Sequence, residues 1–185
     1  MINENYVISK SRSLLAMKKI VCVLLACFCM SALFGCGNKK FSEDELTLAV
    51  REESNISNIE DLQISVAGKN IVGDKALYWF VISNPISNEC VGYVPIEFLA
   101  VDNNQYEFIH TYVARERGMD IRTALWNDSY SFLVNNENCS QLKIEYHSGK
   151  VDMISVDTIP FVYGVDDSSS VSGYEFLDAE GNVLS

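Results

Sequence analysis

From Leu62 onward the apolar residues of this chain recur at every second position, a spacing that suits extended backbone with one buried and one wet face. Eight segments carry that pattern or an unbroken apolar run of strand length: residues 62–66, 76–83, 96–101, 106–115, 131–134, 142–147, 151–156 and 174–177. Alternation is cleanest where Leu142, Ile144 and Tyr146 interleave with Lys143, Glu145 and His147. Residues 76–82 have no polar face at all, which predicts a central strand covered on both sides. Between strands, Asp102-Asn103-Asn104, His147-Ser148-Gly149-Lys150 and the stretch from Asp178 to Asn182 have hairpin chemistry, so the neighbouring strands should run antiparallel. Residues 120–126 fit either one helical turn or a strand paired through Asn127-Asp128. Residues 166–173, rich in serine and acid, read as a mobile surface loop.

One stretch keeps helical spacing. Phe41, Ser42, Glu45 and Leu46 stand at the positions of a capping box inside a hydrophobic staple, predicting a helix over 43–53 with Leu46, Ala49 and Val50 toward the core. Many short strands behind a single helix predict a mostly β, α+β fold: an antiparallel β-sandwich or a curved sheet packed on that N-terminal helix.

Ahead of the helix, Met17-Lys18-Lys19 opens an apolar run over 20–34 that stops at Gly35-Cys36-Gly37-Asn38. The run is shorter than the roughly 20 residues a membrane-spanning helix needs. A basic start, a short apolar centre and a small-residue end are the three regions of a secretory signal peptide. Its last residues resemble the lipobox of bacterial lipoproteins: Leu33, Gly35 and Cys36 match the aliphatic, small and cysteine positions, while Phe34 is bulkier than usual there. The resemblance implies cleavage after Gly35, a diacylglyceryl thioether on the Cys36 sulfur, and acylation of the new amino terminus by a chain such as palmitate. The protein would then be held by membrane lipid at the extracytoplasmic face of the cell membrane. Leu24-Leu25-Ala26-Cys27 spells the same box, but a cut there leaves too short an apolar centre. The expected organisation is a signal peptide over 1–35, a lipidated linker over 36–40 and one β-rich domain over 41–185. Residues 1–16 precede the better start at Met17 and read as a gene-model extension or a long basic region.

Residues 41–185 hold eight basic and twenty-four acidic residues, a net charge of −16. Such a polyanion argues against nucleic acid as a partner and against a second, electrostatic grip on an anionic bilayer. With 48% of the chain hydrophobic, global disorder is excluded.

No Gly-x-Ser-x-Gly, phosphate-cradling glycine loop, dinucleotide fingerprint, His-Glu-x-x-His or paired Cys-x-x-Cys occurs, so no catalytic residue, cofactor or metal ligand is assigned. His110 alternates with Tyr106, Phe108 and Tyr112 and reads as a packed core residue, whereas His147 reads as solvated at a hairpin mouth. Cys90 and Cys139 are candidates for a disulfide in a secreted domain, and two separate thiols fit the sequence equally well. Arg115, Arg117 and Arg122 gather within eight positions as a candidate contact for an anion or a partner. Against that stands cross-strand pairing with Glu116 and Asp120. Aromatic residues are dense from Tyr78 to Tyr130, and any left on a wet face would suit a peptide or a glycan. The expectation is a membrane-anchored lipoprotein whose ectodomain is a non-enzymatic binding or accessory module for a protein, peptide or glycan. The alternative is a small cell-envelope hydrolase.

Overall fold

The computed structural model describes residues 39–54, 56, 58–101, 104–116 and 120–184. The expected signal peptide, Cys36, Asp102, Asn103 and Arg117 lie outside the described residues. Strand β1 (Lys40–Ser42) leads through a 3-10 turn, Glu43–Glu45, into helix α1 (Leu46–Glu53), and a second 3-10 turn follows at Ile59–Asp61. The strands after it are β2 (Gln63–Val72), β3 (Lys75–Ser83), β4 (Cys90–Val101), β5 (Gln105–Thr111), β6 (Arg115–Glu116) and β7 (Ile121–Trp126). The last five are β8 (Ser129–Val134), β9 (Gln141–Tyr146), β10 (Val151–Ser155), β11 (Phe161–Val165) and β12 (Val171–Leu177). They form three antiparallel sheets: A, in the order β1-β5-β4-β3-β2; B, β11-β8-β7-β6; and C, β10-β9-β12. The fold is mostly β with one N-terminal helix, the class that the spacing predicts.

Side-chain alternation stacks these elements in layers. Ala76, Tyr78, Phe80 and Ile82 of β3 point with Ile96 and Phe98 of β4 to one core, which α1 closes with Leu46, Ala49 and Val50. The intervening residues Leu77 and Trp79 point the other way, onto Ala124, Trp126 and Leu133 of sheet B. Strand β3 is therefore covered on both faces, although β4 holds the middle place in the sheet. Sheet B repeats the device: Ile121, Phe132, Val134 and Val165 leave its far face to meet Leu142, Ile144 and Phe176 of sheet C. A middle sheet needs two apolar faces, and β8 supplies them as Tyr130, Phe132 and Val134 on one side and Leu133 on the other.

The helix starts as its capping residues predict. Glu45 accepts from the Ser42 backbone N–H at 3.0 Å and from the Ser42 hydroxyl at 2.9 Å, and Phe41 and Leu46 are buried in one core. Phe41 also pairs with Tyr106, so the residues before the cap belong to a short strand. At the other end Arg51 donates to the carbonyls of Ile59 (2.6 Å) and Leu62 (2.9 Å), tying the helix to the turn that follows.

One open reading is decided by the structure and other expectations need correction. Residues 120–126 resolve as strand β7, joined to β8 through Asn127 and Asp128, both at positive φ (52° and 57°) as a tight primed turn requires. The stretch 166–173 is an ordered 3-10 turn at Ser168–Ser170 followed by the start of β12: Asp167 accepts from the Ser169 N–H at 3.1 Å, and the Ser168 N–H donates to Asp128 at 2.7 Å. Residues 106–115 are not one strand. A bulge at Ile109, the extra residue of β5 where its register shifts between Glu97 and Phe98 of β4, breaks the alternation, so Phe108 stays on the helix side while Tyr112 turns toward sheet B and His110 is left exposed. Strand β11 carries no clear strand signal, because its residues, Phe-Val-Tyr-Gly-Val, follow Ile159-Pro160 and are interrupted by a glycine.

Sheets A and B approach closely where glycines leave room. A Cβ on Gly68 would lie 2.8 Å from Val162, and one on Gly164 would lie 2.5 Å from the Asn70 side chain. Asn70 thereby reaches Ser131, whose hydroxyl donates to it and accepts from the Trp79 indole at 2.7 Å. Nearby Glu97 is only 2% exposed; its carboxylate sits 3.0 Å from the Lys75 ammonium and accepts from the Tyr112 hydroxyl at 2.8 Å. Burial alone would push the Glu97 carboxyl up, but the bonds from Lys75 and Tyr112 hold it below its ordinary value of 4.5. Burial and that carboxylate push Tyr112 up to about 12.

Candidate functional site

Among the described residues sheet B has four strands and sheet C three, so these strands leave part of the inner face of sheet B uncovered. Strand β12 lies over β8, with the Tyr174 ring 5.5 Å from Tyr130 and 4.8 Å from Phe132. Strands β7 and β6 continue past that cover. There Val113, Arg115, Thr123, Leu125, Tyr130 and Tyr174 line a hollow of about 240 Å³. A second hollow of about 330 Å³ shares the two tyrosines and runs along Val171, Ser172 and Gly173 of β12. Together they make a groove with sheet B as floor and the edge of sheet C as wall.

Register explains the lining. Arg115 pairs with Thr123 and Glu116 with Arg122, so Arg115, Thr123 and Leu125 share the groove face, and Arg122 leaves the opposite one. Two features bear on what this face can hold. Leu125 is 60% and Val113 91% exposed. Thr123 is only 3% exposed, and its hydroxyl has no hydrogen-bond partner among the described residues.

The arginine group therefore divides. Arg122 stands over the Tyr93 ring at 4.9 Å, donates to the Ile121 carbonyl at 2.9 Å and lies 3.6 Å from Glu116. It is a structural cation at the sheet A side, paired as the local-acid reading expects. Asp120 instead accepts from the Tyr93 hydroxyl at 2.8 Å. Arg115 forms no ion pair with any described residue, and Arg117 lies outside them.

Cys90 and Cys139 are free thiols. Cys90 opens β4 in sheet A, whereas Cys139 is buried in the core between sheets B and C, and each donates to a nearby carbonyl, Gly92 and Gln141, instead of meeting the other. Cys139 borders a separate hollow of about 320 Å³ with Glu137, Asp157 and Ile159. Burial pushes its thiol up, which keeps it protonated and a poor nucleophile. His110 is exposed, its ring edge-on to Tyr112 at 4.9 Å, which corrects its reading as a core residue; His147 is exposed at its hairpin. Among the described residues no three His, Cys, Asp or Glu side chains gather as a metal site, and no helix is long and apolar enough to cross a membrane.

No family model, curated protein or solved structure matches this chain. Sequence reasoning reached Arg115 through its basic neighbours. It missed Thr123, Leu125 and Tyr174, whose common face depends on a register and on a missing strand above them. The one local signal was Leu125, an apolar residue that ends up exposed between buried Ala124 and Trp126.

Proposed function

We propose that this chain is a lipid-anchored protein of the cell envelope whose β-rich domain binds a partner in the groove between sheets B and C without chemically transforming it. The groove carries the reading: exposed Leu125 and Val113, two tyrosines and an arginine surround a space whose described lining holds no carboxylate, imidazole or thiol. Such a surface offers contact area and one fixed positive charge, but no general base or activated nucleophile. For the anchor, the support is the lipobox at Cys36 together with a compact unit, Lys39–Ser185, that begins three residues later. The first strand starts at Lys40, so on this reading the folded sheet follows the lipid within a few residues.

One strain set tests both halves. Cys36→Ser should move the protein from the membrane to the soluble fraction and abolish fatty-acid labelling; retention with label would refute the anchor. A photo-crosslinking side chain in place of Leu125 should trap an adduct in cells that Arg115→Glu removes, while the same group in place of Ile86, exposed on the β3–β4 loop, should not. Equal labelling from both positions would refute the groove as the binding surface.

A further inference from the structure

Among the described residues sheet C has one strand fewer than sheet B, and the groove lies where a further strand would fit. Strand β12 is its edge, and on the outer side the described residues supply only the bridge from Leu177 to Val183, with the Leu184 N–H donating to the Phe176 carbonyl at 2.8 Å. An open edge is a template for another extended chain. Further along the strand, Ser172 and Gly173 face the groove.

The charges say what such a chain carries. Among the described lysines and arginines, Lys39, Lys40, Arg51, Lys69, Lys75, Arg122, Lys143 and Lys150 all have an acid within ion-pair distance, and Arg115 does not. In a domain of net charge −16, this arginine, without an acid among the described residues, is available to the carboxylate of a partner. The same net charge repels a polyanion, so a single acid in an otherwise uncharged segment fits best. The buried Thr123 hydroxyl, without a partner among the described residues, marks a second polar contact on the same floor.

We propose that a partner protein contributes an extended peptide segment that adds to β12 as the fourth strand of sheet C. Its inward side chains rest on Leu125, Tyr130 and Tyr174, one carboxylate reaches Arg115, and a polar side chain or bound water meets Thr123. This rests on the groove being the binding surface, as proposed above, and names the class of partner.

The test uses the full chain in detergent and a fluorescein-labelled eight-residue peptide alternating valine with threonine and carrying one central glutamate, followed by anisotropy. A lysine version should bind about fivefold more weakly, the range of a partly exposed ion pair. Arg115→Glu should reverse that preference, and circular dichroism will show that the variant is folded. N-methylation of alternate backbone nitrogens on the pairing edge should weaken binding more than tenfold, while methylation of the opposite set should leave it unchanged. Glutamate and lysine peptides binding alike, no effect of N-methylation, or a dimer of this chain that closes the edge would each overturn the inference. If the peptides fail while the adduct from position 125 persists and proves to be a glycan or a folded surface, the strand is wrong and the groove stands. If the adduct is also lost, both fall.

Discussion

The two sheet-to-sheet interfaces of this domain are built on opposite plans. Between A and B, polar groups cross the gap from Trp79 to Ser131 to Asn70, and Glu97 of β4, held by Lys75 and Tyr112 of its own layer, is buried on the same face of sheet A. Gly68 and Gly164 leave room for the Val162 and Asn70 side chains of the facing layer. Between B and C the contact is aromatic, with Phe132 at its centre meeting Tyr174 and Phe176 edge-on at 4.8 and 6.0 Å, and the interface is left open on one side. Directional bonds and small residues permit one register and no slack, whereas apolar contact tolerates an unfilled place beside it. The rigid interface holds the scaffold, and the open one offers a surface.

The comparison breaks most readily at Phe132, a fully buried ring. Phe132→Ala should cost about 4 kcal/mol, as large core truncations do. It should lower the denaturant midpoint and abolish groove binding together, because β12 rests on that ring. A variant that keeps the midpoint but loses binding would show that sheet C docks without it.

Gly68→Ala addresses the other interface and should cost about 2 kcal/mol, since the new methyl meets the branched, immobile Cβ of Val162. Peptide affinity per folded molecule should not change. A neutral or stabilising outcome would mean that β2 and β11 can separate and that the close approach is incidental.

The smallest effect concerns Glu97 and depends on pH. Its folded-state carboxyl lies below 4.5, so the ion pair contributes stability that is fully present above the unfolded value and is lost as pH falls through the lowered folded one. Glu97→Gln should cost about 1.5 kcal/mol at neutral pH and flatten that part of the acid limb. The slope due to Glu43, Asp152 and Asp178, also lowered by hydrogen bonds and charges nearby, should remain. An unchanged acid limb would show that Glu97 titrates alike in the folded and unfolded chain.

Local chemistry by itself determined the helix and most of the strands. The Ser42–Glu45 cap, the buried set Leu46, Ala49 and Val50, the hairpin turn at Gly149 and the unalternating β3 all rest on contacts within a few residues or on burial of both faces. What only the tertiary structure decided is which faces meet. The bulge in the β4–β5 pairing sends His110 out to solvent against the period of its own segment. The turn at Asn127-Asp128 settles 120–126 as a strand and so puts Arg115 and Arg122 on opposite sides of one sheet. Cys90 and Cys139 fall on different layers, a separation that spacing along the chain does not encode. The groove is the extreme case: it exists because a three-stranded sheet lies on a four-stranded one, and strand count per sheet is set by long-range pairing, which leaves no mark on the residues that line the gap.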